Sequence, residues 1–206
     1  MEQIPSLAKE RLLYLMRILE HSREPLTSAQ IEALTGWSSP TIRKDISYLS
    51  GDADRGAVGT SSGYDPESLL LAIKKALGLE RRWKFCVVGL GRLGSAYLNI
   101  ESFEFKEFDL AAGFDSNVNR TEILKSPVPL YPAYKMGEVI SRFGIEIALL
   151  CVPAGAAQAA AEKLAAAGIQ GIVNFAPVVL ALPPEIAVRN VYVADELRAL
   201  AIKIRQ

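Results

Sequence analysis

The segment Lys84-Phe85-Cys86-Val87-Val88-Gly89-Leu90-Gly91-Arg92-Leu93-Gly94-Ser95-Ala96 constrains the fold of this 206-residue chain more than any other. β-Forming residues lead into a turn of the G-x-G-x-x-G type, and a helical pattern leaves it. Asp115 ends the next apolar run about 20 residues on, the spacing of a dinucleotide-binding strand-helix-strand unit. In such a unit Gly89 permits the tight turn, Gly91 lets backbone approach a diphosphate, and Gly94 lets helix and strand pack closely. Leu90, Arg92 and Leu93 fill the rest of the loop, which leaves free N–H groups at a helix start to meet the anion. Asp115 is expected to accept from the adenosine ribose hydroxyls and to repel a 2′-phosphate, favouring NAD over NADP. Arg120, close by in sequence, weakens that preference.

The chain beyond the turn alternates strand and helix patterns. The helix after Gly94 is expected to run to about Ile100, followed by strands over 108–115 and 127–131 and a helix over 134–143. Then come a near-continuous apolar strand over 145–152, an alanine-rich helix over 155–167, a strand over 171–174, a last strand around Val191-Tyr192-Val193 and a final helix over 195–205. Such alternation predicts a doubly wound parallel sheet. Val152-Pro153-Ala154 and Asn174-Phe175-Ala176-Pro177 fall at carboxyl ends of strands, where ligands of open α/β sheets bind, and are expected to wall a nicotinamide ring. These segments contain no general acid or base. The single histidine, His21, lies far upstream, which counts against a dehydrogenase.

The residues before the glycine strand have a different character. Leu7, Leu12, Leu15, Ile18 and Leu19 recur at helical spacing. Pro25 interrupts, and Thr27 or Ser28 can cap a short helix carrying Ile31 and Leu34 that Gly36 closes. Ser38-Ser39-Pro40 opens another helix, in which Ile42, Ile46 and Leu49 face inward while Thr41, Arg43, Lys44 and Ser47 face outward. This is the pattern of a helix-turn-helix whose second helix reads DNA. On residues alone, a solvated face of a small helical bundle fits as well. Residues 51–63, rich in glycine and serine, read as a β-hairpin wing bearing Arg55 or as a linker. A helix over 66–77 follows, and the domain boundary is placed near residue 80.

A formal charge of zero, from 23 basic and 23 acidic residues, argues against binding nucleic acid or an anionic membrane by bulk attraction, though not against a local basic face. Cys86 and Cys151 sit in apolar runs and read as buried core thiols. No secretory leader or run long enough to span a bilayer is evident, so a soluble cytoplasmic protein is expected.

Taken together, Ile42-Arg43-Lys44-Asp45-Ile46-Ser47-Tyr48, Leu77-Gly78-Leu79, Val88-Gly89-Leu90-Gly91-Arg92-Leu93-Gly94, Gly113-Phe114-Asp115 and the run 167–177 resemble the Rex family of redox-sensing transcriptional repressors over nearly the whole chain. The resemblance implies an α/β protein with three parts. These are an N-terminal winged helix-turn-helix domain over 1–80, a Rossmann-like NAD(H)-binding domain over 81–193, and a C-terminal helix over 194–206 exchanged in a homodimer. It implies a palindromic double-stranded DNA operator that NADH releases, no catalytic or metal residues, and no membrane partner. DNA contacts would come from Ser39, Thr41, Arg43, Lys44, Ser47 and Arg55, with Arg17 and Asp45 as switch residues. Three positions depart from the family pattern. The wing around Asp54-Arg55-Gly56 is longer, Ile100 stands where the family has a switch tyrosine, and Tyr192 where it has the aspartate that pairs with Arg17.

Overall fold

The computed structural model describes residues 4–49, 59–60, 62–99 and 107–205. The chain divides into two compact units, Met1–Arg81 and Arg82–Gln206, each taken by itself below.

The first unit opens with α1 (Ser6–Glu20), whose Ala8, Leu12, Leu15, Met16 and Leu19 are buried. The second helix, α2 (Ser28–Thr35), starts at a capping box. Thr27 Oγ1 accepts from Gln30 N, and the Gln30 side chain accepts from Thr27 N, so Thr27 rather than Ser28 is the cap. Gly36, at φ 74°, ends it in the left-handed region that glycine adopts without strain. Two residues later Ser38 caps α3 (Ser39–Ser47), with Pro40 in its first turn. β1 (Gly59–Thr60) and β2 (Gly63–Tyr64) form an antiparallel ribbon, so this part of the glycine-rich stretch takes the hairpin alternative. Tyr64 and Leu26 exchange two backbone hydrogen bonds of 2.9 Å that hold the ribbon to the loop before α2. α4 (Pro66–Leu77) closes the unit, capped by Asp65, and packs Leu69 and Ile73 against α1. Leu12, Leu15, Ile31, Ile42, Ile46, Leu69 and Ile73 make one core.

The second unit is a six-stranded sheet, all strands parallel, in the order β5-β4-β3-β6-β7-β8. The strands are β3 (Trp83–Val88), β4 (Phe108–Asp115), β5 (Leu130–Pro132), β6 (Ile147–Leu150), β7 (Gly171–Asn174) and β8 (Ala187–Asn190). The helices are α5 (Arg92–Leu98), α6 (Val118–Ile123), α7 (Met136–Phe143), α8 (Ala154–Ala166) and α9 (Val193–Ile204), with a 3-10 turn, Ala133–Lys135, leading into α7. The order of the sheet is the doubly wound one, with its crevice between β3 and β6. Cys86, Val88, Phe114, Ala148 and Leu150 pack under α7 and α8, while Phe85, Val87, Leu90 and Leu98 pack on the other face.

Several boundaries differ from the sequence expectation: the strand expected over 127–131 is Leu130–Pro132, and the final helix expected over 195–205 is Val193–Ile204. The strand expected over 145–152 is Ile147–Leu150: Ile145 N donates to Ile140 O in the turn that ends α7, and Pro153 already caps α8. The last strand is Ala187–Asn190, not Val191-Tyr192-Val193. Its register on β7 ends at Asn174 opposite Asn190, and Val193 already begins α9. No residue of α9 is buried, and Leu197, Leu200 and Ile204 stand exposed, so the helix does not close its own domain. Tyr192 precedes it, with the Arg198 guanidinium 6.0 Å over its ring. Ile100 and the segment around Arg55 lie outside the described residues.

Candidate functional site

The glycine turn sits at the carboxyl end of β3, and each glycine answers a different demand. At Gly89, φ is 89° and a Cβ would lie 2.7 Å from Cys151 O and from Val152 Cγ1, so the crossing to β6 leaves no room for a side chain. At Gly94 a Cβ would lie 1.8 Å from Gly89 O, which is how α5 comes so close to the turn. Gly91 is unlike both. Its φ is −67°, open to any residue, and a Cβ there would meet no protein atom within 4 Å. Neither backbone nor packing requires glycine at 91, and α5 begins there with no side-chain cap. Both features fit a diphosphate brought against the turn.

Asp115 ends β4 beside this turn and is only 4% exposed. Its Oδ2 accepts from Leu90 N at 2.7 Å and from Arg120 Nη1 at 3.0 Å, and its Oδ1 from Asn117 N at 2.8 Å. Burial pushes this carboxyl up, but the Asn117 and Leu90 N–H groups and the Arg120 guanidinium outweigh it and hold the carboxyl below its ordinary value. Asp115 therefore organises the glycine turn from within, a task its spacing alone does not reveal.

Val152, Pro153 and Ala154 follow β6, and α8 starts at Ala154 without a side-chain cap. Phe175, after β7, packs on Tyr97 of α5 at a centroid distance of 5.2 Å, across the carboxyl edge of the sheet. Tyr97 was not singled out in the sequence. Burial, and then Cys151, push its phenol pKa up. Its i+3 place after Gly94 on α5 is the signal that could have found it. Asn174, expected in the nicotinamide wall, instead holds that wall up. It is 1% exposed, its Nδ2 donates to Val178 O at 2.8 Å and to Asn190 Oδ1 at 2.9 Å, and its Oδ1 accepts from Ala176 N at 3.0 Å. Both amide protons are spent inside the fold, and one lone pair of Oδ1 remains. Ala176 is buried, whereas Pro177 is exposed. Burial pushes the Cys86 and Cys151 thiols up to about 12, so neither is a ready nucleophile.

In the first unit, α3 carries the residues expected to meet DNA. Arg43, Lys44 and Ser47 are exposed, and Thr41 is half-buried beside the cap Ser38, with Oγ atoms 2.9 Å apart. Arg43 Nη1 donates to Ser28 Oγ at 3.3 Å, and Ser47 Oγ to Lys44 O at 2.7 Å. Ser39 is tied to α2, its N and Oγ both donating to Glu32 Oε2. Those two bonds, with Arg43 nearby, hold the Glu32 carboxyl below its ordinary value. Asp45 is bound to Arg11. Arg11 Nε and Nη2 donate to its two oxygens at 2.5 and 2.8 Å, and the pair, with Asp45 buried, fixes α3 against α1. The bond to Asp45 outweighs burial and raises the Arg11 pKa. Arg17 is exposed on α1, and its carbonyl meets His21 Nδ1 at 2.9 Å.

Comparison with known proteins joins the two units. The CoA binding domain family matches residues 80–178. The redox-sensing transcriptional repressor Rex of Thermus thermophilus is 38% identical over 212 residues, covering 98% of this chain and 94% of that protein. Rex of Carboxydothermus hydrogenoformans is 35% identical over 208 residues, covering 99% and 98%. Among solved structures, RSP, a Rex-family repressor, superposes with a TM-score of 0.81 at 30% identity, covering 98% of this chain and 93% of RSP. RSP in complex with β-NADH gives 0.83 at 28% identity, and with β-NAD+ and operator DNA 0.81 at 30%, each covering 98% of this chain and 94% of RSP. Identity of this degree, spread over both units and nearly the full length of each relative, means that the chain belongs to the Rex family of redox-sensing transcriptional repressors.

Proposed function

We propose that this chain is a NAD(H)-responsive transcriptional repressor that binds a palindromic operator as a homodimer and leaves it when NADH binds. The observation that carries the reading is Gly91. It is a glycine that the chain's own backbone and packing do not require, beside an uncapped helix start, in a chain whose other unit presents Arg43 and Lys44 on an exposed helix. The first unit is the DNA-reading domain, with α3 entering the major groove and Thr41, Arg43, Lys44 and Ser47 meeting base edges or phosphates. Ser39 is bound to Glu32 and contributes through α3's position. The second unit takes NAD(H). Gly91 and the α5 start meet the diphosphate, Asp115 the adenosine ribose, and Val152, Pro153, Ala154, Phe175 and Pro177 the nicotinamide end. When bound, the dinucleotide supplies a redox-dependent ring whose charge differs between the two forms.

For NADH to release DNA it must bind the DNA-incompetent arrangement more tightly than the competent one, since equal affinity shifts nothing. RSP has been captured on operator DNA with β-NAD+, which supports the reduced form as the releasing one here. The exposed apolar stripe of α9, Leu197, Leu200 and Ile204, supports a second copy of the chain as its cover. We read the protein as a sensor and not an enzyme. The relatives are named transcriptional repressors, and burial pushes both thiols up to about 12. Among the described residues no helix is long and apolar enough to cross a membrane.

The test is to titrate a labelled palindromic operator with the protein by fluorescence anisotropy, alone and with NADH, NAD+ or coenzyme A, with sedimentation to count subunits. Operator binding weakened by NADH and not by NAD+ or coenzyme A is expected. Binding indifferent to every nucleotide would refute the sensor, and no binding at low salt would refute the repressor.

A further inference from the structure

We propose that Arg120 sets how this chain discriminates between dinucleotides with a free and with a phosphorylated adenosine 2′-hydroxyl. The inference rests on the nucleotide-binding reading above and deepens it at the adenosine end. In a dinucleotide site of this kind, the acidic residue closing the second strand accepts from the ribose hydroxyls and excludes a 2′-phosphate by its charge. Asp115 holds that place, but its charge does not stand alone.

Three donors converge on the Asp115 carboxylate, and they differ in what they can do. Leu90 N and Asn117 N are backbone groups of the turns on either side and cannot leave. Arg120 Nη1, 3.0 Å from Oδ2, belongs to a side chain that is 42% exposed on α6, whereas Asp115 is 4% exposed. Arginine has five N–H donors in a planar fork. One is spent on Asp115, and the others meet no acceptor among the described residues. A carboxylate has about four lone-pair sites, and three are taken here, leaving one on Oδ1 for a ribose hydroxyl.

The same cation thus acts in two ways on a 2′-phosphate, which carries roughly two negative charges near pH 7. It neutralises the carboxylate that would repel the phosphate, and it offers unused donors of the geometry that phosphate accepts. Because the two backbone bonds keep Asp115 in place, Arg120 can turn toward a phosphate without the glycine turn losing its anchor. Arg120 therefore reduces the bias against 2′-phosphorylated dinucleotides, and its effect falls on NADPH far more than on NADH.

The experiment measures NADH and NADPH affinities of the full-length protein by isothermal calorimetry for the wild type, Arg120→Gln, Arg120→Met and Arg120→Lys, at low and moderate salt. Both neutral variants are expected to weaken NADPH on the order of five- to tenfold more than NADH, as befits one exposed charge facing a dianion at high dielectric. Arg120→Lys should recover most of that difference, and added salt should shrink it. Neutral variants that change both nucleotides by the same factor, or a lysine that recovers nothing, would overturn the assignment while the nucleotide-binding reading stands. A wild-type protein that binds no NADH would overturn the reading on which it rests. Because NADH binding itself reports an intact site, a variant that has merely unfolded is told apart from one that discriminates differently.

Discussion

Gly91 and Gly94 lie in one turn, yet alanine is expected to do opposite things at them. At Gly94 the added methyl would sit 1.8 Å from Gly89 O and 2.9 Å from Gly89 C, where real Cβ atoms do not come closer than 3.0 Å. Relief requires a movement of more than about 1 Å between α5 and the turn, which strains the bond from Leu90 N to Asp115. Overpacking costs about 1–3 kcal/mol when side chains can yield. Here the obstacle is backbone, so about 3 kcal/mol or more is expected for Gly94→Ala. In a unit the size of Arg82–Gln206 that lowers its Tm by about 10 °C. At Gly91 the methyl meets nothing and φ is ordinary. A gain of about 0.4–1 kcal/mol from a stiffer unfolded chain is offset by a similar loss, because alanine is a poorer helix N-cap than glycine. Gly91→Ala should therefore melt within about 4 °C of the wild type but lose at least about tenfold in NADH affinity, the equivalent of about 1.4 kcal/mol. Circular dichroism melts and NADH calorimetry on both variants separate the two effects. A Gly94→Ala protein with wild-type Tm would refute the packing argument. A Gly91→Ala protein with wild-type NADH affinity would remove the reason for reading that space as a diphosphate seat.

Three further outcomes follow from the same geometry. Asp45→Asn leaves Arg11 facing a neutral amide in a mostly buried pair; breaking such pairs costs about 3–5 kcal/mol, and with Arg11 27% exposed about 2–3 kcal/mol is expected, measured as urea unfolding of the full chain followed at the tryptophans. Lys44→Ala should weaken operator binding by about 1–3 kcal/mol if the lysine meets a base edge; a phosphate contact would instead lower the salt slope by about 1 whatever the DNA sequence, and no change in either would show that Lys44 is only solvated. The Asp115 carboxyl is held below its unfolded value, so its contribution to stability is full above about pH 4 and lost as pH falls through the folded value; denaturation from pH 3 to 7 should show a steeper acid loss in the wild type than in Asp115→Asn, and parallel curves would contradict it.

The glycine turn was legible because its demands are local. A strand, three glycines at fixed offsets and an acid about 20 residues on state their own geometry, and the sheet order follows once that unit is placed at its centre. Strand ends were not legible, because the adjoining elements decide them. Ile145 and Val152 are as apolar as their neighbours, but Ile145 N is spent on Ile140 O at the end of α7 and Val152 leads straight into the Pro153 cap of α8. The edge strand was hidden for the opposite reason. Arg189 and Asn190 look like loop residues, while Val191-Tyr192-Val193 looks like a strand; the observed register pairs Ala187–Asn190 with β7, and a side-chain bond between Asn174 and Asn190 closes its end.

The same contrast sorts the candidate site. Asn174, Asp45 and Ser39 are polar residues in motif positions; from sequence Asn174 is expected to meet the cofactor, Ser39 the DNA, and Asp45 to act as a switch residue. The fold supplies each with an internal partner, in the case of Asp45 from 34 residues away, as it also does for Asp115. What remains is the set that the fold leaves unexplained. It comprises Gly91 with no packing reason to be glycine, Lys44 with its charge in solvent, and α9 with an apolar stripe that buries nothing. Their unmet demands are for an anion, a polyanion and an apolar surface. A diphosphate and a DNA backbone answer the first two, the ligand classes held by the RSP structures that this chain resembles, and a second copy of the chain is the proposed answer to the third.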